Sequence, residues 1–239
     1  MNQSKITVGK LSVTLVTASQ QPRGAVILCH GFGAGGEDLV SLASEMVAAD
    51  ESLGDVAFLF PAAPIDMSGE MGFDSRAWWM IDIEKIQQLA AKGEFRELTN
   101  TSPVELPGCN QMIREVIDYA AKEFSLPHAK IVIGGFSQGA MVTTDVALSL
   151  DEAIGGLIVW SGTLICQSRW DTLVGQHKFP VCQSHGTMDP MLPFSGAVAL
   201  CTLFADAGLD VEFTEFEGPH TIAISAFKSG LKLVQKVLA

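Results

Sequence analysis

Gly135-Phe136-Ser137-Gln138-Gly139 is a G-x-S-x-G run set between an apolar stretch, Ile131-Val132-Ile133, and a segment of helical character that opens at Gln138. The context matters more than the pattern. A serine hydroxyl becomes a useful nucleophile when a tight strand-to-helix turn pushes it out at the C-terminal edge of a sheet. Glycines on either side remove side chains that would collide with the adjoining strand and helix. Ser137 is therefore the candidate nucleophile; the competing reading is a glycine-rich turn with an incidental serine.

A hydroxyl nucleophile needs a base, and the chain offers five histidines. His30 and His185 each close an apolar run and precede a glycine, which suits packing or turn roles. His128 and His177 stand in polar linkers. His220 follows Gly218-Pro219, after the last strand-like segment, and is expected to open the last helix. The positive end of a helix favours the neutral imidazole, the form able to accept a proton. The orienting acid is expected at Asp189, in the turn beyond the apolar run at 179–184. Glu215 and Glu217 are its rivals, both read as part of the last strand or its exit. Nucleophile, acid and base then follow in the chain order known for serine nucleophiles on such turns.

Gly31-Phe32-Gly33-Ala34-Gly35-Gly36 satisfies G-x-G-x-x-G after one apolar run and before a helical one, the fingerprint of a dinucleotide site. That reading requires an acid at the C-terminal end of the next strand, to hold the ribose hydroxyls. The next strand ends in Phe60-Pro61-Ala62, and Asp55 stands at its beginning. The glycines fit another task better. They let backbone N–H groups approach the oxygen of a reacting carbonyl, and the donors expected there are Phe32 and Gln138. No H-E-x-x-H, paired cysteines or His-carboxylate cluster at ligand spacing suggests a metal, so neither metal nor cofactor is expected.

The elements that must hold these groups are legible from periodicity. Residues 5–17 alternate apolar and polar around a glycine, as an edge hairpin or one long strand would. Continuous apolar runs at 25–29, 56–60, 130–134, 153–160 and 179–184 read as strands buried on both faces, with a last strand at 210–216. Helical spacing lies between them, first in Leu39, Leu42, Ala43, Met46 and Val47, then near 109–125, 138–150, 194–207 and 220–238. Repeated β-α-β units imply a mostly parallel sheet covered by helices on both faces. The stretch from about 61 to 107 lacks a buried-strand pattern and carries a short helical portion around 82–98, so it reads as an excursion from the sheet. Its Met71, Phe73, Trp78 and Trp79 offer thioethers and aromatic faces for an apolar substrate wall. The same residues could equally serve to pack the excursion onto the domain.

The bulk properties narrow the partners. The chain has 239 residues, 48% of them hydrophobic, and a net charge of −12, which opposes sequence-independent binding to nucleic acid. Its five cysteines form no regular framework and are expected to be free thiols in a reducing compartment. No basic, apolar leader and no apolar run of membrane-spanning length stands out, so the expectation is a cytoplasmic protein without an integral membrane segment. A homodimer is left open.

These blocks resemble the phospholipase/carboxylesterase family, which includes the acyl-protein thioesterases. The resemblance spans nearly the whole chain. It rests on His30-Gly31-Phe32-Gly33, on Gly134-Gly135-Phe136-Ser137-Gln138-Gly139-Ala140 and on His185-Gly186-Thr187-Met188-Asp189-Pro190-Met191-Leu192-Pro193, while Arg76-Ala77-Trp78-Trp79 is similar to the family's tryptophan-containing motif. It implies an α/β-hydrolase fold, a three-layer sandwich in a single domain over 1–239 with a cap-like excursion at 61–107. It implies the triad Ser137, Asp189 and His220, with an oxyanion hole at Phe32 and Gln138. The activity implied is cofactor-independent hydrolysis of a small-molecule carboxylic ester or thioester through an acyl-enzyme. Two features depart from the family pattern: Pro219 stands directly before the base, and the stretch from 82 to 107 is long. Alternatives are an acyltransferase on the same triad, a non-catalytic binding module on this fold, and the dinucleotide-linked oxidoreductase weakened above.

Overall fold

The computed structural model describes residues 1–82, 84, 88, 92 and 98–238. Most of the helical portion expected around 82–98 therefore lies outside the described residues.

Among the described residues eight strands form one sheet, in the spatial order β1 (Asn2–Val8), β2 (Leu11–Thr17), β4 (Val56–Pro61), β3 (Gly24–Cys29), β7 (Ile131–Phe136), β8 (Gly156–Trp160), β9 (Pro180–Gly186) and β10 (Asp210–Phe216). The first two, β1 and β2, make the antiparallel hairpin, and β2 also runs antiparallel to β4. From β4 onward, through β3, β7, β8, β9 and β10, every pairing is parallel. The chain steps from β3 outward to β4, then returns to place β7 on the other flank of β3. That reversal leaves a crevice at the C-terminal ends of β3 and β7, where open parallel sheets bind their ligands.

Alternate residues of the central strands divide between two apolar cores, one on each face. Ala25, Ile27 and Cys29 of β3 join Ile131 and Ile133 of β7 in the first, and Val26 and Leu28 join Val132 in the second. The first core is closed by α3 (Leu106–Glu123), α4 (Gln138–Ser149), α5 (Gln167–Leu173) and α6 (Phe194–Asp206). The second is closed by α1 (Ser41–Ala49) and α7 (Ile224–Leu238). Helix α7 shows why it forms: Ala226, Ser229, Gly230, Leu233, Val234 and Leu238 recur at helical spacing on its buried face. Each fully buried Leu or Val there contributes about 1.5–3 kcal/mol. Two-sided burial is why these strands read as unbroken apolar runs rather than alternating ones.

Between β4 and α3 the chain forms a small antiparallel pair, β5 (Ile65–Asp66) with β6 (Arg76–Ala77), bracketing the one-turn helix α2 (Ser68–Met71). The last helix corrects one expectation. It begins at Ile224, not at His220, so His220 stands in the loop after β10. Carbonyls of that loop are engaged elsewhere: Met188 N–H donates to Gly218 O at 3.0 Å and Ser161 Oγ to Thr221 O at 3.1 Å. Helical bonding starts only with Phe227 N–H to Ala223 O, at 2.9 Å. Among the described residues no helix is long and apolar enough to cross a membrane.

Candidate active site

Strand β7 runs apolar to Phe136, and α4 opens at Gln138, so Ser137 occupies the single residue between them. Its backbone adopts φ 54° and ψ −118°, a conformation costly for any residue with a side chain. Ser137 N–H donates to Trp160 O of β8 at 2.8 Å, which pins the turn to the sheet. The turn closes because Gly139 has no Cβ; one built there would overlap the Cys29 and His30 carbonyls of β3 and its exit. Helix α4 thus sits directly on the end of β3.

The hydroxyl so presented meets an imidazole. Ser137 Oγ lies 2.8 Å from His220 Nε2, and His220 Nδ1 lies 2.6 Å from Asp189 Oδ2. Asp189 is buried in the loop after β9, with its other oxygen, Oδ1, accepting the N–H groups of Met191 at 2.8 Å and Leu192 at 2.9 Å. Burial alone would raise its carboxyl. Hydrogen bonds from His185 and His220, the charge of His220 and the Leu192 N–H outweigh that and hold it well below the usual carboxylate range. An ionised Asp189 fixes the proton of His220 on Nδ1 and leaves Nε2 free to accept one from Ser137. The loop carrying His220 reaches this position because Gly186, at the end of β9, has no Cβ to overlap the Gly218 carbonyl. The rival acids are turned away, for Glu215 and Glu217 are both exposed.

Phe32, Ser137, Gln138 and His220 line one cavity of about 120 Å³, together with Gly31, Ile81, Phe136, Met141, Met191 and Leu192. Among the described residues neither the Phe32 nor the Gln138 backbone N–H has a protein acceptor. Two side chains set these donors. His30, buried at the exit of β3, has its Nδ1 at 2.8 Å from Gly31 O and accepts Ala63 N–H on Nε2 at 3.0 Å. With Nε2 an acceptor, the ring is neutral and Nδ1 donates; burial, the largest influence, lowers its pKa and favours that state. Holding the Gly31 carbonyl orients the Gly31–Phe32 peptide and hence the Phe32 N–H on its other side. Gln138 clasps the excursion with its own side chain. Oε1 accepts Trp78 N–H at 2.9 Å and Nε2 donates to Trp79 O at 2.7 Å. A packing or turn role for His30 was expected from its place, a histidine ending a buried strand before glycine, a pattern repeated at His185-Gly186; the clasp made by the Gln138 side chain was not.

Of the four residues expected in a substrate wall, Trp79 lines a cavity of this region. Trp78 is fully buried, and its indole Nε1–H donates to His30 O at 2.9 Å, so it packs the excursion onto the domain. Met71 and Phe73 are exposed around α2, and neither borders the cavity at Ser137. Trp79 instead joins Ile81, Leu98, Val104, Met141, Ile165 and Leu192 in a second cavity of about 250 Å³. Ile81, Met141 and Leu192 border both cavities, which makes them neighbours.

The dinucleotide reading fails on geometry. Asp55 precedes β4 at the opposite edge of the sheet, where it pairs with Arg23 at 2.7 Å. The cysteines are free, and burial pushes the thiol of Cys109 up to about 12 and that of Cys182 to about 11, which keeps both protonated. Among the described residues no group of three or more His, Cys, Asp or Glu side chains could hold a metal ion.

A sequence model described as Phospholipase/Carboxylesterase matches residues 12–238. The chain belongs to the phospholipase/carboxylesterase family. As a member of it, the protein is a carboxylic ester hydrolase, with the family's α/β-hydrolase fold. It is 31% identical to Acyl-protein thioesterase 1 of Eremothecium gossypii over 196 residues, 79% of this chain and 75% of that protein. It is 27% identical to Acyl-protein thioesterase 1 of Candida albicans over 227 residues, 90% of this chain and 93% of that protein. Among solved structures, the esterase PE8 shares the fold with a TM-score of 0.77 at 24% identity, covering 96% of this chain and 100% of that one. The carboxylesterase from Mesorhizobium loti gives 0.75 at 16% identity, covering 98% and 99%.

Proposed function

We propose that this member of the phospholipase/carboxylesterase family hydrolyses carboxylic esters or thioesters through an acyl-enzyme on Ser137. Ser137 Oγ attacks the acyl carbonyl while His220 Nε2 takes its proton, and the tetrahedral oxyanion is met by the N–H groups of Phe32 and Gln138. Collapse expels the alcohol or thiol, which leaves with the proton returned by His220. Water, deprotonated by the same nitrogen, then releases the acid and restores the serine. Asp189 keeps the imidazole in the required tautomer throughout.

One observation carries the reading: the hydrogen-bonded line from Ser137 Oγ through His220 to Asp189, at 2.8 and 2.6 Å. The apolar cavity beside it, about 250 Å³, suits the acyl rather than the polar half of a substrate. The name carried by the yeast relatives adds thioesters of acylated proteins to the substrates worth testing. A fluorophosphonate probe should label Ser137, and Ser137→Ala should abolish labelling and lower turnover of a p-nitrophenyl ester by at least about 10³-fold while folding normally. A folded Ser137→Ala variant that keeps activity within tenfold of wild type would end the proposal.

A further inference from the structure

We propose that His185 is a positioning residue for the Asp189 carboxylate, acting through it on the orientation and basicity of His220. The inference rests on the triad reading above and adds a member that touches neither substrate nor serine.

His185 is fully buried at the end of β9, its ring 6.2 Å from that of Phe194 on α6. Its Nε2 lies 3.2 Å from Asp189 Oδ2 and 3.0 Å from the Leu192 carbonyl oxygen. Both neighbours are acceptors, so Nε2 must carry a proton. Nδ1 is buried and has no partner among the described residues. A bare ring nitrogen tolerates that isolation better than an N–H, whose donor would be wasted in a dry interior. Together these assign a neutral ring in the Nε2–H tautomer, with a fixed donor aimed between carboxylate and carbonyl.

The consequence falls on Oδ2. Asp189 Oδ1 is occupied by the Met191 and Leu192 N–H groups, so Oδ2 is shared by the two histidines, His220 at 2.6 Å and His185 at 3.2 Å. The His185 donor draws charge from the oxygen that holds the His220 proton and stops the carboxylate from turning about its bond. It also closes a ring through Leu192, whose N–H donates to Oδ1 and whose carbonyl accepts from His185. The Leu192 side chain borders the cavity at Ser137, so this ring joins the acid to the substrate wall. Among the described residues Asp189 is paired with His185 and His220, and Glu215, the register partner of His185 on β10, is exposed.

The test compares wild type, His185→Gln and His185→Leu by the pH dependence of kcat/KM and of fluorophosphonate labelling at Ser137. Without the donor, Oδ2 holds the His220 proton more tightly, so the acidic limb of the Leu variant should move up by about half a pH unit. Its kcat should fall roughly tenfold with KM little changed, because the imidazole is less well held. The Gln variant, which keeps an N–H donor, should restore both toward wild type. A folded Leu variant whose limb coincides with that of wild type, with normal labelling, overturns the proposal alone. No labelling of the wild-type chain at Ser137 sinks the triad reading and this proposal with it. If the Leu variant does not fold, nitrogen-15 NMR of the wild-type protein decides: a proton on His185 Nε2 and none on Nδ1 supports the assignment, and the reverse tautomer overturns it.

Discussion

At the scale of single residues, the chemistry depends on polar groups being fully occupied in a dry site. Asp189 has all its accepting capacity directed, to two backbone N–H groups and two imidazoles, and this is what keeps it ionised where burial would neutralise it. Asp189→Asn keeps the shape but can offer its amide N–H to His220 and permits the wrong imidazole tautomer, so kcat should fall by up to roughly 10⁴ with KM little changed. The same carboxyl links folding to pH. Its folded-state pKa is depressed, so its contribution to stability is present above the ordinary carboxylate range and is lost as pH falls through that range and below. The stability gap between wild type and Asp189→Asn, measured by urea unfolding at pH 7 and at pH 3, should therefore narrow in acid. A constant gap would show that the carboxyl is not held low. Gln138 makes a second residue-scale case. Gln138→Ala would strip partners from the Trp78 N–H and the Trp79 carbonyl, both buried, and should cost about 2–4 kcal/mol by urea unfolding.

The elements act by closeness of approach. Ser137 is forced out of the sheet because α4 follows β7 after one strained residue, and α4 can follow so soon only because it rests on the end of β3. Gly139→Ala places a methyl group against the Cys29 and His30 carbonyls, which belong to the element holding the Phe32 donor. Backbone cannot yield there as a side chain could. The substitution should destabilise by more than about 3 kcal/mol or prevent folding, and any soluble product should have lost labelling at Ser137. Gly108→Ala is the control. Gly108 lies in α3, where an added Cβ meets nothing within 4 Å, so alanine there should be neutral or stabilise by up to about 1 kcal/mol. Equal damage from the two substitutions would refute the close-approach argument.

On the scale of the whole molecule, the apolar cavity beside the serine is assembled from five separate stretches of chain: Trp79–Ile81, Leu98–Glu105, Met141, Ile165 and Leu192. They come from the excursion, the approach to α3, helix α4 and the loops after β8 and β9. Each methylene buried there should add about 0.8 kcal/mol, or roughly fourfold in kcat/KM, from acetyl toward hexanoyl esters until the space is filled. Val104 stands at the rim of this cavity and is 91% exposed, so Val104→Trp can narrow it without disturbing the core. The variant should flatten the rise with chain length and leave acetyl turnover near wild type. A chain-length profile identical to wild type would place the acyl group elsewhere.

By itself the sequence determined what short-range pattern encodes. Unbroken apolar runs such as 25–29 and 131–133 marked strands buried on both faces, because a parallel sheet covered by helices leaves no polar face to alternate. The strand, G-x-S-x-G and helix in succession marked the turn at Ser137, because the steric requirement for its glycines is local. The family could be read for the same reason, since its blocks are contiguous runs at strand ends. Tertiary structure decided whatever depends on groups distant in the chain. The start of the last helix moved from His220 to Ile224 because carbonyls of that loop are taken by residues of the loops after β8 and β9. Trp78 left the substrate wall because its indole and backbone find partners at His30 and Gln138, the latter 60 positions away. His185 gained a task because the loop after β9 folds Asp189 and Leu192 back onto its ring. Periodicity along a chain reports which face of an element is buried, but not which distant polar group will meet it there.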